Sequence, residues 1–224
     1  MSRALVRAAA LLPVLLAACE PAAMPPRRTA DVYEFRLATT PPAVLRWETG
    51  ATIRVWASAE TDTRGPLADA LAAGMAEWNR HALFGEYRLA AATSLADADV
   101  VLRWMQEPSE LDLSGCLPAG ARAVTTFCLT DPDPFSADLE RFPRADGAPT
   151  GIRMVVSVLD SEVSIPGRVR SLVTHELGHV LGIARHSDVA ADLMSDSQLS
   201  RTSLSARDIS TIQTLYHTRA DLVP

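Results

Sequence analysis

Residues 175–186 read HELGHVLGIARH, and the spacing of their histidines decides how the chain is read. His175 and His179 are four apart, so on a helix they lie on the same side, about 6 Å apart along its axis. Glu176 stands beside the first of them. Gly182 follows three residues after His179, where a helix would stop and the chain turn back, the usual task of a glycine just past a helix end. His186 closes the run, so three of the chain's five histidines fall inside one short window.

Two imidazoles on one helical side can share a cation, and His186 can add a third nitrogen. A catalytic zinc takes three protein ligands and keeps one position open. Such a zinc lowers the pKa of its water to about 7 and polarises a substrate carbonyl. Glu176, which is not needed as a ligand, can take the water's proton and pass it to a leaving amine. Arg185 stays protonated and binds no metal. Asp188 is the alternative third ligand, since carboxylates also bind zinc. Alternatively, a bare HExxH fits a buried helix whose histidines only satisfy polar neighbours.

Working outward, RVRSLVTHELGHVLG (168–182) sets Val169, Leu172, Val173, Leu177 and Val180 on one broad apolar face of a helix. GIRMVVSVL (151–159) before it reads as a buried strand. Further upstream, ATIRVWAS alternates Ile53, Val55 and Ala57 against Arg54 and Trp56, a half-buried strand. GPLADALAAGMAEWNRH then places Leu67, Leu71, Met75 and Trp78 at helical spacing, with Pro66 suited to the first turn. ADADVVLRWM reads as another strand, with Val100, Leu102 and Trp104 on one face. From 106 to 150 the prolines at 132, 134, 143 and 149 leave no room for a long element, though ARAVTTFCL within it suits a short edge strand. In SARDISTIQTLYH, Ser205 with Asp208 makes a capping-box-like helix start, and Ile209, Ile212 and Tyr216 form the packing stripe. The order predicts an α/β domain with few helices. His81 and His217 sit at helix ends, where a cation suits the helix dipole. Trp47, Trp56, Trp78 and Trp104 are assigned to the core.

At 224 residues with 48% hydrophobic content, the chain has enough for one domain with a core plus terminal extensions. A formal charge of -6 and the lack of a dense basic stripe argue against nucleic acid as a partner. The first residues, MSRALVRAAALLPVLLAAC, carry Arg3 and Arg7 before a short apolar stretch, well under the ~20 residues of a spanning helix. Their end, Leu16-Ala17-Ala18-Cys19, resembles the lipobox of bacterial lipoproteins. Residues 1–18 are therefore read as a signal peptide and Cys19 as a lipid carrier, with an ordinary secretory signal ending in Cys as the alternative. PAAMPPRRTA (21–30) is a Pro/Ala-rich tether, so residues 19–30 link lipid to a domain spanning 31–224. The expected location is the bacterial cell envelope, the outer membrane favoured, with the domain facing periplasm or exterior. A monomer is the default. In such an oxidising compartment Cys116 and Cys128, in GCLPAGARAVTTFC, read as a disulfide closing a local loop.

HELGHVLGIARHSD followed by DLMS resembles the matrixin branch of the metzincin zinc peptidases, whose motif is HExxHxxGxxH followed by a turn with a methionine beneath the metal. RWETGATIRVWAS, MAEWNRH, ADADVVLRWM and LSARDISTIQTLYH are similar to the strand, helix, strand and closing helix of these domains. The resemblance covers about residues 44 to 217. It implies a twisted, mostly parallel sheet with an antiparallel edge strand, and one catalytic zinc on His175, His179 and His186. Glu176 would be the base and Met194 the turn methionine. The third histidine comes one residue later than in the common form. Because the extra residue falls in a loop, it can be absorbed there; within a helix it would rotate later side chains by about 100°.

Two residues after Met194 stands Asp196, not the tyrosine that astacin-like and serralysin-like relatives use near the metal. It has no PRCGxPD latency motif; SGCLPAG shares only a cysteine and a proline with it, leaving a switch role for Cys116 as the alternative to the disulfide. Structural calcium occurs in the family, and Asp131, Asp133, Asp138 and Glu140 could host it, but turn and helix-start roles explain them equally. The resemblance implies an endopeptidase that takes an extended peptide along a sheet edge, for which ARAVTTFCL is the candidate. The alternative is a non-catalytic lipoprotein using the zinc-bound fold as a binding or assembly module. A purely structural zinc usually closes its fourth position with a protein ligand, so that position tells the two apart.

Overall fold

The structure is a computed structural model that describes residues 31–57, 64–94, 96–105, 123–126, 154–159, 162, 164–197 and 200–224. Cys19, Cys116, Cys128 and the acids Asp131, Asp133, Asp138 and Glu140 lie outside them, as do the targeting segment and tether.

Among the described residues, five strands and three helices follow one another along the chain: β1 (Ala51–Ala57), α1 (Arg64–Asn79), β2 (Tyr87–Ala91), β3 (Val100–Met105), β4 (Ala123–Thr126), β5 (Met154–Leu159), α2 (Arg168–Val180) and α3 (Ala206–Tyr216). The strands form one sheet in the order β2-β1-β3-β5-β4. β1 pairs in parallel with β2 and β3, β3 pairs in parallel with β5, and β4 runs antiparallel to β5 at the edge. A mostly parallel sheet with one antiparallel edge fits the expected matrixin-like zincin fold.

The period-2 pattern of β1 holds, with Ile53 and Val55 buried and Trp56 only half-buried, so Trp56 is not a core residue. Val100, Leu102 and Trp104 of β3 and Val158 of β5 are buried. β2 had no counterpart in the sequence reading. Only Tyr87 and Leu89 point into the core there, Arg88 and Ala91 are exposed, and Gly85 at φ 71° turns the chain into the strand.

α1 lies against β2, α2 lies against β5 and β4, and the two helices pack on each other. Two glycines face this contact. A Cβ on Gly74 would come within 3.1 Å of Leu177 Cδ1 and Thr174 Oγ1. A Cβ on Gly178 would collide with Met194 Sδ and come within 2.7 Å of Trp78 Cζ2. Trp78, fully buried, reaches across to donate its indole N–H to the Thr174 carbonyl at 2.7 Å. α3 closes the domain. Ile212, Leu215 and Tyr216 are its buried stripe, whereas Ile209 is only half-buried.

Candidate metal centre

Residues 171 to 180 of α2 are buried without a break, so its histidines sit inside the protein, not on an outer face. The helix stops in the manner Gly182 foretold. Gly182 adopts φ 110°, its N–H donates to the His179 carbonyl at 2.9 Å, and the Ile183 N–H donates to the Gly178 carbonyl at 3.1 Å. This is the Schellman pattern, in which a left-handed residue lets the last carbonyls be satisfied. A side chain on Gly182 would also run into the Leu45 carbonyl. The turn brings the Ile183 carbonyl back onto the helix, where it accepts from His179 Nδ1 at 2.5 Å. His175 Nδ1 donates to the Leu193 carbonyl at 2.8 Å.

These two bonds fix the chemistry of the rings. A carbonyl only accepts, so the proton of each neutral imidazole is on Nδ1 and its Nε2 presents a lone pair. Those lone pairs converge: His179 Nε2 lies 3.2 Å from His175 Nε2 and 3.2 Å from His186 Nε2. Facing lone pairs repel unless a cation lies among them. Burial also pushes every ring away from holding a proton. His175 is lowered to about 4, mainly by burial, and His179 falls well below its usual value through burial and then the neighbouring His175. His186 is lowered by burial too, with Asp196 pulling the other way. Nitrogens about 2.0–2.1 Å from one tetrahedral zinc stand about 3.3–3.4 Å apart, close to the spacing here. The donor set fits a zinc ion. The three histidines form a group that could hold a metal, with His175 and His179 buried and His186 exposed.

The late third histidine thus reaches the other two. Asp188, the alternative ligand, does not. Its carboxylate faces Arg207 at 3.2 Å and is exposed to solvent. His81 and His217 also stand apart, 3.8 Å from Glu77 and 3.9 Å from Glu86 respectively. Burial and then Arg80 lower the pKa of His81, with Glu77 pulling the other way. Glu176 is buried on α2 at 4% exposure, next to His175.

Met194 is fully buried and lies beneath α2 against Gly178. Several residues that hold its turn were not identified from sequence. The Ser187 N–H donates to the Met194 carbonyl at 2.8 Å, directly after the third histidine. Asp192 accepts from the Ser187 and Ser205 hydroxyls and pairs with Arg207 at 3.1 Å. The capping box at Ser205 and Asp208 is present, and its carboxylate also reaches further. Asp208 accepts from the N–H groups of Leu193 at 2.8 Å and Met194 at 3.3 Å, and from the Tyr33 hydroxyl at 2.8 Å. The Ser-x-x-Asp spacing signalled the cap alone, since nothing local in the sequence reports a contact fourteen residues away.

Residues 129–217 match the Matrixin family model. The Matrixin match spans β5, α2, all three histidines, Met194 and α3, and stops short of β1 to β4. It supports a metallopeptidase-like function for this part of the chain. No curated protein matches the chain.

Proposed function

We propose that the chain is a zinc-dependent endopeptidase, cutting peptide bonds of proteins or peptides at the His175, His179 and His186 site. The observation that carries this reading is the convergence of three imidazole Nε2 atoms, two with Nδ1 committed to backbone carbonyls. The Matrixin match over the same segment supports it. When bound, zinc lowers the pKa of a coordinated water to about 7 and polarises the scissile carbonyl.

The chain's own residues supply the rest. Glu176 receives the proton of the attacking water and delivers it to the leaving amine. β4, the antiparallel edge strand beside β5 among the described residues, is the strand along which an extended peptide would lie, and α2 packs against both strands. His186 lies on the exposed side of the cluster, which leaves substrate a way in.

We further propose that the domain is held at the bacterial cell envelope by lipid on Cys19, with residues 20 to 30 as the tether. No helix among the described residues is long and apolar enough to cross a membrane.

The test is cleavage of a diverse peptide library by the zinc-loaded protein, with Glu176→Ala alongside. Cleavage by the native chain alone supports the reading and reports subsite preferences. No cleavage by either, with zinc still bound, favours a binding module.

A further inference from the structure

The loop from Gly182 to His186 carries one residue more than the related motif, and the segment of residues 31 to 47 meets it along its length. Residues 31 to 47 form no helix or strand, yet Tyr33, Phe35, Val44, Leu45 and Trp47 are all buried. The Ala184 N–H donates to the Phe35 carbonyl at 2.9 Å. Nε of Arg185, the residue occupying the position where the histidine is expected, donates to the Arg36 carbonyl at 3.3 Å. Just before the loop, Trp47 Nε1 donates to the Val180 carbonyl at 2.8 Å, and the Leu45 carbonyl fills the space above Gly182. The segment is itself anchored, because the Tyr33 hydroxyl donates to Asp208 and the Tyr33 N–H to Thr211 Oγ1 at 3.3 Å. All of these strap residues lie outside the Matrixin match.

We propose that Tyr33 to Arg36 form a positioning strap, which pins the lengthened loop at Ala184 and Arg185 so that His186 meets His175 and His179. The inference rests on the reading that these three histidines hold zinc. An unpinned loop must be ordered by the metal itself, and that ordering cost subtracts from metal affinity. In the strapped fold, His186 already stands 3.2 Å from His179.

The experiment uses the full chain and reads two quantities. One is the zinc dissociation constant, by competition with a chromophoric chelator. The other is the visible spectrum of the cobalt(II)-loaded protein. Phe35→Ala removes the buried anchor of the strap, and Arg185→Ala removes one side-chain contact with it. Leu89→Ala, buried in β2 away from the strap, serves as a control for general loss of stability.

Phe35→Ala should weaken zinc binding about 10- to 100-fold, as loss of outer-shell support does, and Arg185→Ala about threefold. Leu89→Ala should stay within about twofold of native. The cobalt spectrum of Phe35→Ala should lose intensity as one imidazole is replaced by water. Zinc affinities of both strap variants equal to that of Leu89→Ala would overturn the strap. Should Phe35→Ala fail to fold, Arg185→Ala decides by the same comparison. A native chain that binds no zinc would overturn the metal reading itself, and the strap with it.

Discussion

Leu193 ties His175 to the last helix. Its carbonyl accepts from His175 Nδ1 at 2.8 Å while its N–H donates to the Asp208 carboxylate at 2.8 Å. The orientation of the first candidate ligand therefore depends on a carboxylate thirty-three residues further on. Met194 shares this arrangement, since its N–H also donates to Asp208 and its sulfur lies under Gly178.

Asp208→Ala leaves the N–H groups of Leu193 and Met194 and the Tyr33 hydroxyl without their acceptor inside the protein. Hydrogen bonds to a charged group contribute about 1.5–3 kcal/mol each, and a buried orphaned donor costs about 1–3 kcal/mol. A loss of roughly 3 kcal/mol or more is expected in urea unfolding of the metal-free protein. Zinc affinity should fall as well, because the carbonyl that orients His175 is no longer held.

Gly178→Ala sets two effects against each other. Alanine favours a helix interior over glycine by about 1 kcal/mol. The added Cβ, however, must displace Met194 Sδ and Trp78 Cζ2, and overpacking costs about 1–3 kcal/mol. Net destabilisation of about 1–2 kcal/mol is expected, seen as a lower Tm. Gly74→Ala meets only the ends of the Leu177 and Thr174 side chains, apart from a looser contact with the Thr174 backbone. It should cost less.

The ligand assignment predicts opposite outcomes for two neighbours. His186→Ala should sharply weaken zinc binding. Asp188→Ala should change it little, because that carboxylate is exposed and engaged with Arg207, and such exposed pairs contribute about 0–1 kcal/mol. Chelator competition on the two variants checks both.

Much of this was legible beforehand, for a physical reason. β1, β3 and α2 each carry a periodic apolar pattern within a single element, and the Gly182 stop and the Ser205 cap are local backbone signals. β2 escaped because only Tyr87 and Leu89 mark its inner face, amid alanines. The segment 31 to 47 escaped because its role is made by backbone groups, such as the Phe35 carbonyl on the Ala184 N–H, which no side-chain pattern reports.

Acid should destabilise the metal-free protein. His175 has a folded pKa of about 4 against a usual 6.5, and His179 is also lowered, by burial and then by the neighbouring His175. Between these values the unfolded chain binds more protons than the fold, so stability rises with pH. It is intact above about pH 6.5 and is lost as pH falls toward 4, by on the order of 1 kcal/mol per unit for His175 alone. Unfolding free energy measured from pH 7.5 to 4.5 checks the slope. A flat profile would contradict the neutral, buried imidazoles.

Removing metal should also lower stability at neutral pH. A ligand bound only to the fold and present at 1,000 times its Kd stabilises by about 4 kcal/mol. Adding a strong chelator should therefore drop the Tm of the zinc-loaded protein by several degrees, with recovery on readdition. His186→Ala should show a much smaller drop.

The most direct measurement is X-ray absorption at the zinc edge of the purified, zinc-loaded protein. The expected result is three imidazole nitrogens at about 2.0–2.1 Å and one further light ligand from solvent. Two imidazoles, or a fourth ligand from the protein, would contradict an open catalytic site built on His175, His179 and His186.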